Sequence, residues 1–120
     1  MLPLQKPLAI SLFLLLLSIA TYGFLKDVSG IPSNWMPNDK VMHLLVFFTL
    51  TLSFHQAFRR PFWQALAGLA LYGALIEVAQ ATFTNRMGDP LDWIADVAGV
   101  ILAAAVIRRL PDGWFRRDLA

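Results

Sequence analysis

The sequence predicts an all-α, polytopic membrane protein with four transmembrane helices, and two observations support this fold class. Of the 120 residues, 58% are hydrophobic and only 15% are charged, whereas soluble domains contain about 45–50% apolar and about 25% charged residues. The apolar residues also fall into four runs, each nearly long enough as a helix to cross a hydrocarbon core of about 30 Å: residues 8–25, 41–58, 62–83 and 91–107. The chain, residues 1–120, is therefore predicted to be a single four-helix domain.

The first run, residues 8–25, contains no charged residue. Its first part also resembles a signal peptide, with a basic residue, an apolar stretch and small residues around Ser18 and Ala20. The apolar run continues to Leu25, however, which is long enough to span the membrane. The sequence therefore favours a retained first helix over a cleaved leader.

The other three runs are separated by residues that end helices. Arg60-Pro61 divides the second run from the third, and Gly88-Asp89-Pro90 divides the third from the fourth. These connections are short, so consecutive helices are expected to be antiparallel neighbours. The chain contains no cysteine, which excludes disulfides and thiolate metal sites.

Basic residues predict the orientation of the four helices, because cytoplasmic loops carry an excess of Lys and Arg. Three basic residues fall on one side of the four-span arrangement, namely Lys26, Lys40 and Arg86. Seven fall on the other side, namely Lys6, Arg59, Arg60, Arg108, Arg109, Arg116 and Arg117. Both termini are thus predicted to be cytoplasmic, in a multi-pass protein of the bacterial cytoplasmic (inner) membrane. The net charge of only +2 gives no indication of a nucleic-acid partner.

Polar residues are concentrated in the outer third of the second, third and fourth helices and in the loop between the last two. They are Asp39, Lys40, His43, Glu77, Gln80, Arg86, Asp89, Asp92 and Asp96. A carboxylate inside a transmembrane segment costs about 2.5–3.5 kcal/mol on insertion scales. These side chains are therefore expected to face the interior of the bundle or a water-filled pocket, and to form a ligand-binding site.

The charge balance of this group suggests its chemistry. Five acids face two permanent cations, Lys40 and Arg86, which favours a carboxyl group that keeps its proton, or a bound cation. Glu77 lies deepest along its helix and is the candidate for the proton-holding acid. His43, Glu77, Asp92 and Asp96 are suitable ligand types for a divalent cation. Their spacing matches no specific metal signature, so no metal or other cofactor is predicted, although a divalent cation is possible.

A stripe of small and acidic residues on the fourth helix predicts a packing contact. Asp92, Asp96, Gly99 and Ala103 follow helical spacing, and small residues allow two helix backbones to approach closely. We expect this stripe to meet the third helix and to bring Asp96 towards Glu77.

The order of these motifs resembles the VanZ-like family. Residues 39–43 resemble its DKxxH element, residues 77–80 its ExxQ element, and residues 86–92 its RxxDxxD element, which Gly99 follows. This chain has Asp96 where the family often has Asn, and Ala103 where a second Gly is frequent. The resemblance implies a bacterial membrane protein of the cell envelope, similar to a teicoplanin-resistance factor.

Three functions are open at this point. The first is binding of an envelope lipid, a lipid-linked intermediate or a lipoglycopeptide headgroup in the outward-facing pocket, which would lower susceptibility to teicoplanin-type antibiotics. The second is a membrane enzyme acting on a lipid-linked envelope intermediate, with Glu77 as general acid or base, His43 as its partner and Arg86 as anion stabiliser. The third is a structural or assembly protein in which the polar residues only hold helices together.

Overall fold

The computed structural model describes residues 4–26, 39–84, 89–111 and 113–116. They form four helices, α1 (Lys6–Leu25), α2 (Asp39–Ala57), α3 (Phe62–Phe83) and α4 (Pro90–Arg109). The all-α prediction is confirmed, and each predicted apolar run lies on one of these helices with nearly the same bounds.

Local sequence accounts for where the helices begin. α4 has Pro90 at its first position, and Asp89 just before it accepts a hydrogen bond from the backbone N–H of Leu91 at 2.9 Å. Proline suits this position because the first N–H groups of a helix have no intrahelical partner, and aspartate is a preferred cap for the same reason. Asp89 and Pro90 therefore set the start of α4.

Among the described residues, three helices are long and apolar enough to cross a membrane: α1, α3 and α4. α2 is similar in length but carries more polar side chains. Three of these polar side chains, His43, His55 and Gln56, are buried inside the bundle. They are therefore kept from contact with the surroundings of the bundle. The predicted fourth span on α2 stays a prediction.

The tightest helix contact joins α2 and α4 at a glycine. A Cβ added to Gly99 would collide with the backbone carbonyl oxygen of Leu44 on α2. Asp96 of the stripe comes close to Glu77 on α3, as predicted, with carboxylate oxygens within 4.8 Å of each other. Gly99, however, packs on α2, so the prediction that the stripe meets α3 was wrong at this position. The physical reason is that α2 supplies both a backbone that fits the missing side chain and the basic groups that pair with Asp92 and Asp96.

Apolar packing fills the middle of the bundle below the polar residues. The buried core comprises Phe24, Phe47, Leu50, Leu69, Ile76 and Val100. One polar contact crosses this layer, between the hydroxyl groups of Thr21 and Tyr72 at 2.7 Å. In a membrane such interfaces are held by close packing and interhelical hydrogen bonds, and this bundle contains both.

A second polar group, which we call the terminal cluster, lies where the described chain begins and ends. It consists of Leu4, His55, Gln56, Trp114 and Arg116. Arg116 Nη1 donates to the carbonyl oxygens of Leu4, at 2.7 Å, and of Gln56. The Gln56 side chain accepts from the N–H of Leu4 and donates to the carbonyl of Trp114, each at 2.9 Å. These bonds fasten both ends of the described chain to the last turn of α2.

Candidate functional site

The predicted polar residues converge at the other end of α2, in a group that we call the acidic cluster. It consists of Asp39, Lys40, His43, Glu77, Asp89, Asp92 and Asp96. His43 lies at its centre with no exposed surface, and its Nδ1 is 2.6 Å from Asp96 Oδ1. An ionised carboxylate can only accept, so Nδ1 donates its N–H to Asp96, and in a neutral ring the lone pair of His43 then lies on Nε2.

Three more carboxylates surround the same imidazole just beyond hydrogen-bonding distance. Nδ1 is 3.7 Å from Glu77 Oε1, and Nε2 is 3.7 Å from Asp39 Oδ2 and 3.8 Å from Asp92 Oδ2. The imidazole is thus enclosed by acids from all three helices α2, α3 and α4. Such an enclosure favours a positive charge at its centre, whether on the ring or on a bound cation.

Lys40 connects the exposed and the buried parts of the cluster. Its Nζ lies 3.1 Å from Asp89 Oδ2 and 3.1 Å from Asp92 Oδ1. The hydrogen bonds that Lys40 donates to Asp89 and then to Asp92 raise the pKa of Lys40. The pKa of Asp89 is lowered, first by the backbone N–H of Leu91 and then by Lys40. Both groups are therefore charged at neutral pH.

Glu77 and Gln80 share a face of α3 but have different partners. Glu77 Oε2 accepts from the backbone N–H of Asp89 at 3.0 Å, which ties α3 to the start of α4. Gln80 Nε2 donates to the carbonyl of Phe24 at 2.9 Å, which ties α3 to the end of α1. Gln80 therefore borders the cluster and holds α1, whereas Glu77 belongs to the cluster itself.

Several buried polar atoms in this region have no hydrogen-bond partner within the described part of the chain. They are His43 Nε2, Glu77 Oε1, Gln80 Oε1 and Asp96 Oδ2. Buried groups of this kind are normally satisfied by water, a proton or a ligand, because each unpaired group costs about 1–3 kcal/mol. Their concentration around one imidazole distinguishes this region as the candidate site.

Among the residues that the structure describes, two triads could hold a metal ion, each with its ligand atoms within 4.8 Å of one another. One is Asp39, His43 and Asp92, and the other is His43, Glu77 and Asp96. His43 belongs to both triads. Because its Nδ1 is hydrogen-bonded to Asp96, Nε2 is the ring nitrogen that is available to ligate a metal ion.

A cleft between α3 and α4 reaches the edge of the acidic cluster. Its volume is about 340 Å³, and its wall includes Glu77, Asp89, Val78 and Trp93. Val78 and Trp93 are exposed, so the cleft opens on the apolar outer face of the helices. Glu77 and Asp89 thus border a space whose walls are almost entirely apolar, and Oε1 of Glu77 is buried behind this wall.

The structure thus brings together seven of the nine predicted site residues, with Gln80 at their border. The ninth, Arg86, lies outside the described residues. Two contributors were not predicted. The ring of Phe24 stacks on His43 with 4.5 Å between centroids, and a Cβ added to Gly73 would lie 2.7 Å from Asp96 Oδ2. Phe24 gave no signal within an apolar helix, whereas Gly73 was visible as a small residue four positions before Glu77.

The sequence model of the VanZ/LLP1 family matches residues 5–111 of this chain. The chain belongs to the VanZ/LLP1 family. Over 104 residues, covering 82% of the chain, it is 36% identical to an uncharacterised protein, C11E3.10, of the fission yeast Schizosaccharomyces pombe (strain 972 / ATCC 24843). The match covers 60% of that relative's own length. No solved structure matches the chain. Family membership together with three membrane-length apolar helices makes this a VanZ-family membrane protein.

Proposed function

We propose that this VanZ/LLP1 protein binds the polar headgroup of a membrane lipid, or of a lipid-anchored glycopeptide, at the acidic cluster. The observation that carries the proposal is the position of Glu77 and Asp89 in the wall of the cleft between α3 and α4. The apolar wall suits an acyl or prenyl chain, and the carboxylates suit a polar group attached to it. A lipid could enter from the side, without leaving the membrane plane.

The proposal includes a four-span topology with both termini in the cytoplasm and the acidic cluster on the outer side. α2 has 19 residues, so at about 1.5 Å per residue it is close to the thickness of a hydrocarbon core. The terminal cluster would then lie on the cytoplasmic side, where most of the Lys and Arg residues fall. In a bacterium the protein would reside in the inner membrane.

The charges of the cluster suggest which headgroups fit. Its carboxylates accept hydrogen bonds from hydroxyl and ammonium groups, whereas Lys40 and Arg86 provide donors for phosphate or carboxylate. A relative in a fission yeast supports a headgroup that bacterial and eukaryotic membranes share. Lowered susceptibility to teicoplanin-type antibiotics would then be a consequence of envelope-lipid binding in bacteria that meet such compounds.

Native mass spectrometry of the gently extracted protein tests this proposal with Glu77→Gln as the variant. Wild type should carry a co-purifying lipid, and Glu77→Gln should carry at least about ten-fold less, since it loses a charged hydrogen bond at the wall of the cleft. Gly68→Ala, on the same helix with nothing near its added Cβ, is the control and should retain the lipid. Equal lipid content in Glu77→Gln and wild type, at equal abundance, would refute the proposal.

A second candidate function is a membrane enzyme that acts on a lipid-linked envelope intermediate. The 2.6 Å contact between His43 and Asp96 favours it, because an imidazole oriented in this way can act as a general base through Nε2. Glu77 would serve as the acid and Arg86 as the anion stabiliser. This candidate requires turnover: a changed lipid product that disappears in His43→Gln, whereas binding without any product would support the first function.

A further inference from the structure

His43 Nε2 is the unusual atom of the acidic cluster. The side chain has no exposed surface, and Nε2 has no hydrogen-bond partner among the residues that the structure describes. The other ring nitrogen is engaged with Asp96, so in a neutral ring Nε2 carries the lone pair. A buried imidazole nitrogen without a partner is unfavourable unless an electrophile or a donor reaches it.

Two carboxylate oxygens face this lone pair. Asp39 Oδ2 lies 3.7 Å and Asp92 Oδ2 lies 3.8 Å from Nε2, and the two carboxyl groups are within hydrogen-bonding reach of each other. A neutral imidazole and two ionised carboxylates offer only acceptors to one another. A proton or a metal cation between them is therefore needed to hold the three groups this close.

We propose that Asp39 Oδ2, His43 Nε2 and Asp92 Oδ2 bind a divalent transition-metal cation such as Zn²⁺ or Mn²⁺. One imidazole nitrogen and two carboxylate oxygens are a suitable ligand set for these ions. Metal–ligand bonds of about 2.0–2.2 Å separate neighbouring ligand atoms by about 2.8–3.6 Å. The observed separations from Nε2 are slightly longer, so small side-chain movements complete the site.

The neighbouring residues orient the ligands as in known metal sites. Asp96 accepts from the Nδ1 of His43, and ligating histidines commonly donate their second N–H to a carboxylate. Lys40 contacts Oδ1 of Asp92, which leaves Oδ2 of the same carboxylate towards His43. The Asp39 side chain is 46% exposed, so it provides the route by which an ion and its remaining water ligands enter.

The same geometry disfavours the second triad, His43, Glu77 and Asp96. There Nδ1 already donates to Asp96 Oδ1 at 2.6 Å, which leaves no room for an ion between these two atoms. Glu77 Oε2 accepts from the backbone N–H of Asp89. The proposed metal site uses only atoms of this chain, so metal binding there does not depend on whether a lipid is bound.

Metal content after stripping and reloading tests the site directly. The full chain is purified in detergent with a tag that lacks histidine, stripped with EDTA and then reloaded with Zn²⁺. After desalting it should retain about one equivalent of Zn²⁺. Asp96→Asn should weaken the affinity about 10–100-fold, as expected for a residue that positions a ligand, and Asp92→Asn should weaken it at least as much. Gly68→Ala, which has nothing near its added Cβ, is the control and should bind like wild type, whereas Glu77→Gln, which changes only the second triad, should weaken binding less than Asp92→Asn.

A spectroscopic measurement on the unsubstituted protein covers the case in which variants fold poorly. The chain contains two histidines, so nitrogen-15 histidine labelling gives a simple spectrum, and His55→Gln assigns it. Zn²⁺ should shift the Nε2 resonance of His43 and leave His55 unchanged. The proposal is overturned if wild type retains no ion, if the shift occurs at Nδ1, or if Glu77→Gln abolishes binding while Asp92→Asn preserves it.

Discussion

The two buried histidines of α2 lie in opposite kinds of surroundings. His43 and His55 are both fully buried and are twelve residues apart, about 18 Å along the helix. His43 is enclosed by four carboxylates. His55 packs against the rings of Phe54 and Phe62, with its Nδ1 3.3 Å from the carbonyl of Arg116.

This difference separates a site from a structural joint. In the terminal cluster the backbone carbonyls of Trp114 and Leu4 each accept from a side chain of the same chain, Gln56 and Arg116 respectively. In the acidic cluster the acceptors outnumber the donors among the described residues. We infer that the terminal cluster holds the bundle closed and that the acidic cluster is arranged for something that the chain itself does not supply.

The largest effect should come from Gly99→Ala, which disturbs the contact between α2 and α4. Its added Cβ would collide with backbone at Leu44, and backbone cannot rotate away as a side chain can. Overpacking costs about 1–3 kcal/mol, and we expect the upper end of this range. Thermal unfolding in detergent should show a clear fall in Tm.

Gly68→Ala provides the matched control for this comparison, because nothing lies within 4 Å of its added Cβ. It should unfold at or above the wild-type temperature, since alanine has the higher helix propensity. Equal Tm values for the Gly99 and Gly68 variants would contradict the packing described for α2 and α4.

A smaller effect is expected from Arg116→Met, which removes the donor of the terminal cluster but keeps much of its length. The carbonyls of Leu4 and Gln56 lose a charged partner, at a cost of about 1–3 kcal/mol. Tm should fall, whereas Zn²⁺ and lipid retention per folded molecule should not change.

Arg109→Met, at the exposed end of α4, is the control for Arg116→Met and should leave Tm nearly unchanged. Loss of Zn²⁺ or lipid from folded Arg116→Met protein would show that the two clusters are coupled. It would contradict the assignment of binding to the acidic cluster and of a purely structural role to the terminal cluster.

The smallest effect concerns pH and the surface contact between Lys40 and Asp89. Because the pKa of Asp89 is lowered, its stabilising contribution is present above its unfolded-state pKa of about 3.9 and is lost as pH falls through the lower folded value. The contribution of Lys40, whose pKa is raised, is present below about pH 10.4 and is lost as pH rises through its higher folded value.

Asp89→Asn isolates this contact, since asparagine can still cap α4. The difference in Tm between wild type and Asp89→Asn should be constant around neutral pH and should shrink progressively as the pH falls below about 4. The corresponding difference for Arg116→Met should be flat over the same range, because arginine does not titrate there. A difference for Asp89→Asn that grows as the solution is acidified would contradict the assignment.

The sequence predicted the helices and most of the acidic cluster, because both depend on spacing along single helices. Asp39 with His43, and Asp92 with Asp96, share a face through the i,i+4 relation, and the cost of intramembrane charge directs them inwards. The spacing of a helix face does not reveal which helix it contacts, and so Gly99 was assigned to α3 although it packs on α2. Asp96, one turn earlier, does approach Glu77 on α3 as predicted. Phe24 was missed for a related reason: nothing in an apolar run reveals which ring will stack on a histidine.

The terminal cluster also bears on how the protein is made. Leu4 and Arg116 are 112 residues apart in sequence, so their bond cannot form until nearly the whole described chain has been synthesised. Until then the polar end of α2, with His55 and Gln56, has no cover from the residues that bury it in the finished bundle. Contacts between residues so far apart in sequence form slowly, so we expect chains that end before Arg116 to expose this end of α2 to proteases.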